Sequence, residues 1–349
     1  MTEELIVRRD GALGRLTLNR PDALGALTTG MCEAMIDALV VWSDNPTIKT
    51  VLIDHEGPRG FCAGGDIRML ADSAAAGGAA AFEFFHTQYQ LDHLISVYPK
   101  PVITVMDGVT MGGGVGLAMP STYRIATERT RFAMPETGIG LFSDVGAGWH
   151  LPRLLGAAGV WIAYTGAKLR AADCLALDLA SHLVPAAGLY AFKMALAEMP
   201  AAQAIAQHGR KASPDRRDGI NCERINRLFR APTLEDILDG LGSEGTAWSI
   251  DQLADIMSKS PLSLRVTERL LRAGRQAASL ADDLLIEHRL ARRLVVRPDF
   301  TEGVRAVIVD KDNAPAWHPA SLAEVSEALV DEMFAPLPAG EEWTPLPDA

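Results

Sequence analysis

Two stretches of this 349-residue chain follow one design, and that repetition limits the folds open to it. TVLIDHEGPRGFCAGGDIRML (50–70) and PVITVMDGVTMGGGVGLAM (101–119) each run from an apolar strand into a glycine-rich loop and then into a helical pattern. In the first, Gly64 and Gly65 stand just before a helix that Asp66 can cap; in the second, Gly112, Gly113 and Gly114 precede an apolar helix. Glycines let the backbone turn sharply and approach a ligand closely, and unpaired N–H groups at a helix start carry partial positive charge. Two such loops brought together would supply two donors for a developing oxyanion. Taken singly, each is better read as a tight turn or a close helix packing; two at equivalent strand ends weaken that plainer reading.

The same alternation extends on both sides. RLTLNR, TVLIDHE, PVITVMDG, YRIATE and TRFAMPE read as strands, with helices from about Thr28, after Asp66 and from about Gly113. This predicts a mixed α/β fold from Leu13 to about Val184. From about Leu189 strand signals fade, and SLADDLLIEHRLARRL and SLAEVSEALVDEMF predict amphipathic helices. We therefore expect a core over 1–200 and a mostly helical region over 201–349, with the polar run QHGRKASPDRRDGINCER as an exposed connection.

Several function classes fall away. A formal charge of −11 argues against a nucleic-acid partner. No apolar run is long enough to cross a bilayer, so no membrane role is expected. MTEELIVRRDG has neither a signal-peptide core nor an amphipathic transit helix, which points to the cytoplasm. Cys32, Cys62, Cys174 and Cys222 form no CxxC pair, and the eight histidines no HExxH, so neither a disulfide framework nor a metal is implied. GxGxxG, GxxxxGK[ST] and GxSxG are absent. Ser143 thus lacks a nucleophile's context, Cys62 reads as a small core residue, and His150 as a core or surface residue.

RFAMPETGIGLFSDVGAGW (131–149) carries two carboxylates, Glu136 and Asp144, in an apolar, glycine-rich stretch. Buried carboxylates are costly unless paired, hydrogen-bonded or used. Both are acid–base candidates; the plainer alternatives are a helix cap for Asp144 and an exposed loop acid for Glu136.

NRPDALGAL, FCAGGDIR, MGGGVGLA, FAMPETGIGLFSDVGAG, MSKSPLSL and DFTEGVRAVIVDKDNAPAW occur in this order along nearly the whole chain. Together they resemble the crotonase (enoyl-CoA hydratase/isomerase) superfamily and, within it, the 3-hydroxyisobutyryl-CoA hydrolase family. The resemblance implies a spiral of ββα units followed by a helical carboxy-terminal region. It also implies an acyl-CoA substrate, with CoA part of that substrate and no separate cofactor, and homo-oligomers of the kind the superfamily often forms. By position it puts the oxyanion-hole donors on the N–H groups of Gly65 and Gly113, the catalytic carboxylates at Glu136 and Asp144, and Gln88 and Gly116 in the substrate pocket.

Hydratases of the superfamily use two Glu residues, which align with Gly116 and Glu136. A Gly at the first position together with Asp144 matches the hydrolase pattern. The expected reaction is hydrolysis of 3-hydroxyisobutyryl-CoA, or a close short 3-hydroxyacyl-CoA, to the free acid and CoA, as in valine catabolism. An enoyl-CoA hydratase/isomerase and a catalytically silent CoA-binding protein are the alternatives. Two positions depart from the family: Gly25 stands where Asn is usual, and Gln88 where the hydrolases tend to have Glu.

Overall fold

The computed structural model describes residues 3–211 and 221–347. The middle of the expected polar connection, 212–220, lies outside the described residues. Among the described residues ten strands form two sheets. Strands β1 (Leu5–Asp10), β2 (Leu13–Leu18), β3 (Thr50–His55), β4 (Gly60–Cys62) and β5 (Val102–Met106) are followed by β6 (Val109–Met111), β7 (Tyr123–Ala126), β8 (Arg131–Ala133), β9 (Leu169–Arg170) and β10 (His182–Leu183). The larger sheet has the order β1-β2-β3-β5-β7-β10, and the smaller β4-β6-β8-β9.

The sequence shows one strand before each glycine loop, whereas the structure has two. In both of these units the first strand joins the large sheet and the second, only three residues long, joins the small one. A strand that short cannot display an alternating pattern, so β4 and β6 are read as loop. Within the large sheet, β2, β3, β5, β7 and β10 run parallel, with Val51 opposite Val102 and Ile103 opposite Tyr123. Parallel strands covered on both faces are apolar almost throughout, as VLI and VITVM are. Alternate residues feed different cores. Val51, Ile53, Val102 and Met106 enter the main one, while Leu52, Ile103 and Val105 pack with Phe192, Leu196 and Ile205 of helices Leu189–Glu198 and Ala201–His208.

Helix starts follow local chemistry. The Thr28 hydroxyl accepts from the Met31 N–H at 3.3 Å, and Asp66 accepts from the Met69 N–H at 3.3 Å. SLAEVSEALVDEMF is not one helix but a short 3-10 turn, Leu322–Glu324, and a helix Glu327–Phe334. Ser326 breaks it by capping the Leu329 N–H at 3.2 Å.

Past residue 200 no strand occurs among the described residues, yet the main apolar core continues through Ile225, Leu241, Leu264, Leu284 and Phe300. Helix Leu280–Leu294 packs on helix Ala79–Val97 and on the short helix Ala147–His150. It buries Leu280, Leu284, Leu290 and Leu294, each worth about 1.5–3 kcal/mol. Among the described residues no helix is long and apolar enough to cross a membrane.

Candidate active site

Three successive units end their second strands at one place. The turns after β4, β6 and β8 bring Gly64 and Gly65, Gly112 and Gly113, and Pro135 and Glu136 to the wall of a single cavity of about 520 Å³. The two glycine loops touch: a Cβ on Gly112 would stand 3.3 Å from the Gly64 Cα, and both residues have positive φ, +47° and +114°. Gly65 sits against the Phe84 ring and Gly113 against Gln88 and Leu27, leaving no room for a side chain. Gly113 is the first residue of helix Gly113–Ala118, so its N–H has no partner within the helix.

Glu136 opens a 3-10 turn, Glu136–Ile139, and is 6% exposed; neither of its carboxylate oxygens has a hydrogen-bond partner among the described residues. Asp144, also 6% exposed, accepts a hydrogen bond from the Tyr89 hydroxyl at 2.9 Å. Burial pushes the Asp144 carboxyl up to about 7, against the lowering pull of that hydroxyl. Glu136 is held well above the carboxylate range by burial and then by the charge on Asp144. The two titrate together, ionisation of Asp144 strengthening the hold of Glu136 on its proton.

Other buried acids show what a structural carboxylate looks like here. Asp54 is met by Arg15 at 2.8 Å and Lys193 at 2.7 Å, and Asp107 by Arg129 at 2.8 Å. Among the described residues neither Glu136 nor Asp144 has such a cation. A pair of desolvated carboxylates beside free backbone donors is suited to attack on a carbonyl whose oxygen becomes negative.

The candidate residues named from sequence separate as follows. Gly65, Gly113, Glu136, Asp144 and Gln88 all line the cavity. Gln88 is 1% exposed, and its Nε2 has no partner among the described residues. Gly116 does not line the cavity. A Cβ there would meet the Asp92 carboxylate at 2.6 and 2.9 Å and the Val145 Cβ at 2.9 Å, so this glycine makes room for a neighbouring acid rather than for a ligand. Gly25 is also outside the wall; its φ of +67° and its contact with the Phe61 carbonyl oxygen demand glycine. Cys62 is fully buried, its thiol pushed up to about 12 by burial, which leaves it inert. Ser143 is buried with an unpartnered hydroxyl, and burial pushes His150 down to about 3. Among the described residues no cluster of His, Cys, Asp or Glu could hold a metal ion.

Sequence reading missed four groups. Tyr89 lies next to Gln88 in FFHTQYQL and holds Asp144. Asp92, one turn further, is buried with both oxygens unpartnered. Lys168 and Lys259 line the cavity, and burial lowers Lys259. Asp283 and Glu287, from helix Leu280–Leu294, reach the loop after Asp144: Glu287 accepts from the Gly146 and Gly148 N–H groups at 2.8 and 3.2 Å, and Asp283 from Trp149 at 2.7 Å. Two acids four residues apart on the apolar face of an amphipathic helix were a signal present in SLADDLLIEHRLARRL.

The enoyl-CoA hydratase/isomerase family model matches residues 13–334. The chain is 39% identical over 344 residues to the mitochondrial 3-hydroxyisobutyryl-CoA hydrolase of Gallus gallus, covering 96% of this chain and 89% of that protein. The Homo sapiens protein of the same name is 37% identical over 345 residues, with the same coverage. A carnitinyl-CoA dehydratase structure from Mycobacterium thermoresistibile matches with a TM-score of 0.92 at 37% identity, covering 98% of this chain and 99% of that one. An enoyl-CoA hydratase structure from Rhodobacter sphaeroides matches with a TM-score of 0.89 at 36% identity and the same coverage. Two sheets built from ββα units, a helical carboxy-terminal region and this agreement over nearly the whole length make the chain a member of the enoyl-CoA hydratase/isomerase family, with the crotonase fold.

Proposed function

We propose that this protein is a thioester hydrolase that converts 3-hydroxyisobutyryl-CoA, or a close short 3-hydroxyacyl-CoA, to the free acid and CoA. The observation that carries this reading is the pair of cation-free, buried carboxylates, Glu136 and Asp144, in one cavity with Gly65 and Gly113. The thioester oxygen lies between the two backbone N–H groups, which stabilise it as charge develops. Glu136, whose carboxylate oxygens have no partner among the described residues, is the group at the carbonyl carbon; it either adds there, breaking the C–S bond to leave an acyl anhydride that water then hydrolyses to the free acid and Glu136, or draws a proton from the water that attacks the carbonyl and displaces CoA. Asp144, anchored by Tyr89, takes up the proton that Glu136 releases on becoming the reacting carboxylate and delivers it to the departing sulfur. The Gln88 amide faces the acyl group, where a hydroxyl can both donate to and accept from it. Lys168 and Lys259 are cations suited to the phosphates of CoA. The named substrate of the curated relatives supports the acyl group and, with it, a place in valine catabolism.

The names of the two structural neighbours favour a second reading, addition of water to an enoyl-CoA. Against it stands position 116, where the superfamily's other hydratase carboxylate would project: Asp92 and Val145 already fill that space. A thiol-release assay over 3-hydroxyisobutyryl-, 3-hydroxypropionyl-, crotonyl- and acetyl-CoA decides between them. The hydrolase reading expects release from the 3-hydroxyacyl esters first; hydration of crotonyl-CoA outpacing every thiol release overturns it.

A further inference from the structure

The residue after Asp144 has a backbone conformation that its side chain resists. Val145 has a φ of +56°, followed by Gly146 at +82°. A β-branched residue in the left-handed region is strained, and such strain persists only where the surroundings fix it. What fixes it here comes from far along the chain. Glu287 takes the N–H groups of Gly146 and Gly148 on its two oxygens, at 2.8 and 3.2 Å, and Asp283, one turn earlier on the same helix, takes that of Trp149 at 2.7 Å. Both acids are fully buried. Gly148 lies so close to the Asp283 carboxylate that a Cβ would collide with it. The same helix packs on helix Ala79–Val97, which carries Tyr89, the hydrogen-bond donor to Asp144. Asp144 is thus fixed by its side chain from one helix and by the backbone that follows it from the other.

We infer that Glu287, supported by Asp283, is a positioning residue for the reaction: it holds the strained turn at Val145 and so sets where the Asp144 carboxylate stands in the cavity. This assigns the carboxy-terminal helix a part in turnover without contact with substrate. The inference rests on Asp144 being a reacting group, as proposed above. Removal of Glu287 lets Val145 relax to a negative φ and carries Asp144 away from Glu136 and the oxyanion donors. A displacement of about 1 Å is enough for a hundredfold loss in rate.

The test is kinetic. Glu287→Ala is expected to lower kcat about a hundredfold with KM unchanged, and Glu287→Gln, which keeps one acceptor oxygen, about tenfold. Leu290→Ala, a buried apolar change one turn further along the same helix that leaves both carboxylates in place, serves as the stability control and is expected to lower the melting temperature while keeping kcat. In an Asp144→Asn background, Glu287→Gln is expected to cost little more, because it acts through the group already lost. Wild-type kcat in Glu287→Ala, a rise in KM alone, an equal kcat loss in Leu290→Ala, or losses that multiply in the double variant would each overturn the inference. The cycle is run on whichever acyl-CoA reaction the wild type catalyses. Absence of thiol release therefore overturns the hydrolase reading, while the cycle still decides the role of Glu287.

Discussion

Asp144→Asn is expected to stabilise the fold while removing activity. The Asp144 carboxyl ordinarily titrates near 3.8 and is pushed up to about 7 in the folded protein, chiefly by burial. From about pH 4 to about pH 7 the folded state therefore holds a proton that the unfolded chain has released, so stability falls as pH rises. Above that window the difference is complete. About three pH units at about 1.4 kcal/mol each make about 4 kcal/mol, the penalty for ionising this group in its buried place. Asn does not ionise, is close in size, and keeps a carbonyl oxygen for the Tyr89 hydroxyl that now sits 2.9 Å from Asp144. The variant should therefore recover most of the penalty. Urea unfolding at about pH 8, 6 and 4 measures this: the variant should be more stable by about 2–4 kcal/mol at the highest pH, with the gap closing toward the lowest. Turnover of the same preparation should fall at least about a hundredfold. Equal or lower stability of Asp144→Asn at about pH 8, or a gap independent of pH, would refute the reasoning.

Glu136→Gln should also lower turnover at least about a hundredfold with acyl-CoA binding retained, and the double variant with Asp144→Asn should lose less than the product of the single losses. Tyr89→Phe removes the hydrogen bond that favours ionised Asp144, so the ionisation near neutrality in the pH profile of kcat/KM should move upward by about one pH unit; no movement would separate Tyr89 from the reaction. Gly113→Val would drive a Cβ to within 2.7 Å of Gln88 Nε2 and 2.9 Å of Leu27, disturbing a donor worth about 3 kcal/mol; turnover should fall much further than thermal stability. Gln88→Leu should reduce the preference for 3-hydroxyisobutyryl-CoA over isobutyryl-CoA by about tenfold or more, read as a ratio of kcat/KM values.

Much of the site was legible before any coordinates. Gly65 and Gly113 stand at helix starts after apolar strands, and Glu136 and Asp144 are acids in an apolar, glycine-rich stretch, where a helix cap and a loop acid were also open. These are local signals, readable within a turn or a strand, and the same holds for the Thr28 and Asp66 caps and the long helix from Leu280. The second strands of the two glycine-loop units, β4 and β6, were not legible, because three residues carry no period, nor was the break at Ser326, where a capping hydroxyl competes with a continuous amphipathic pattern.

The role of Gly116 was decided only in three dimensions, by Asp92 and Val145 occupying the space beside it. So were the anchoring of Asp144 by Tyr89, 55 residues away, and the hold of Glu287 on the following loop across 139 and 141 residues. Sequence alone determined which segments turn, which faces are apolar and which acids lie among them, since those follow from the side chains and their spacing. Whether an acid ends up beside a cation, as Asp54 does beside Arg15, or beside another acid, as Glu136 does beside Asp144, depends on which distant segment packs opposite. That contact sets the charge each carboxyl can carry, because a buried group has only its packed neighbours, not water, to stabilise it.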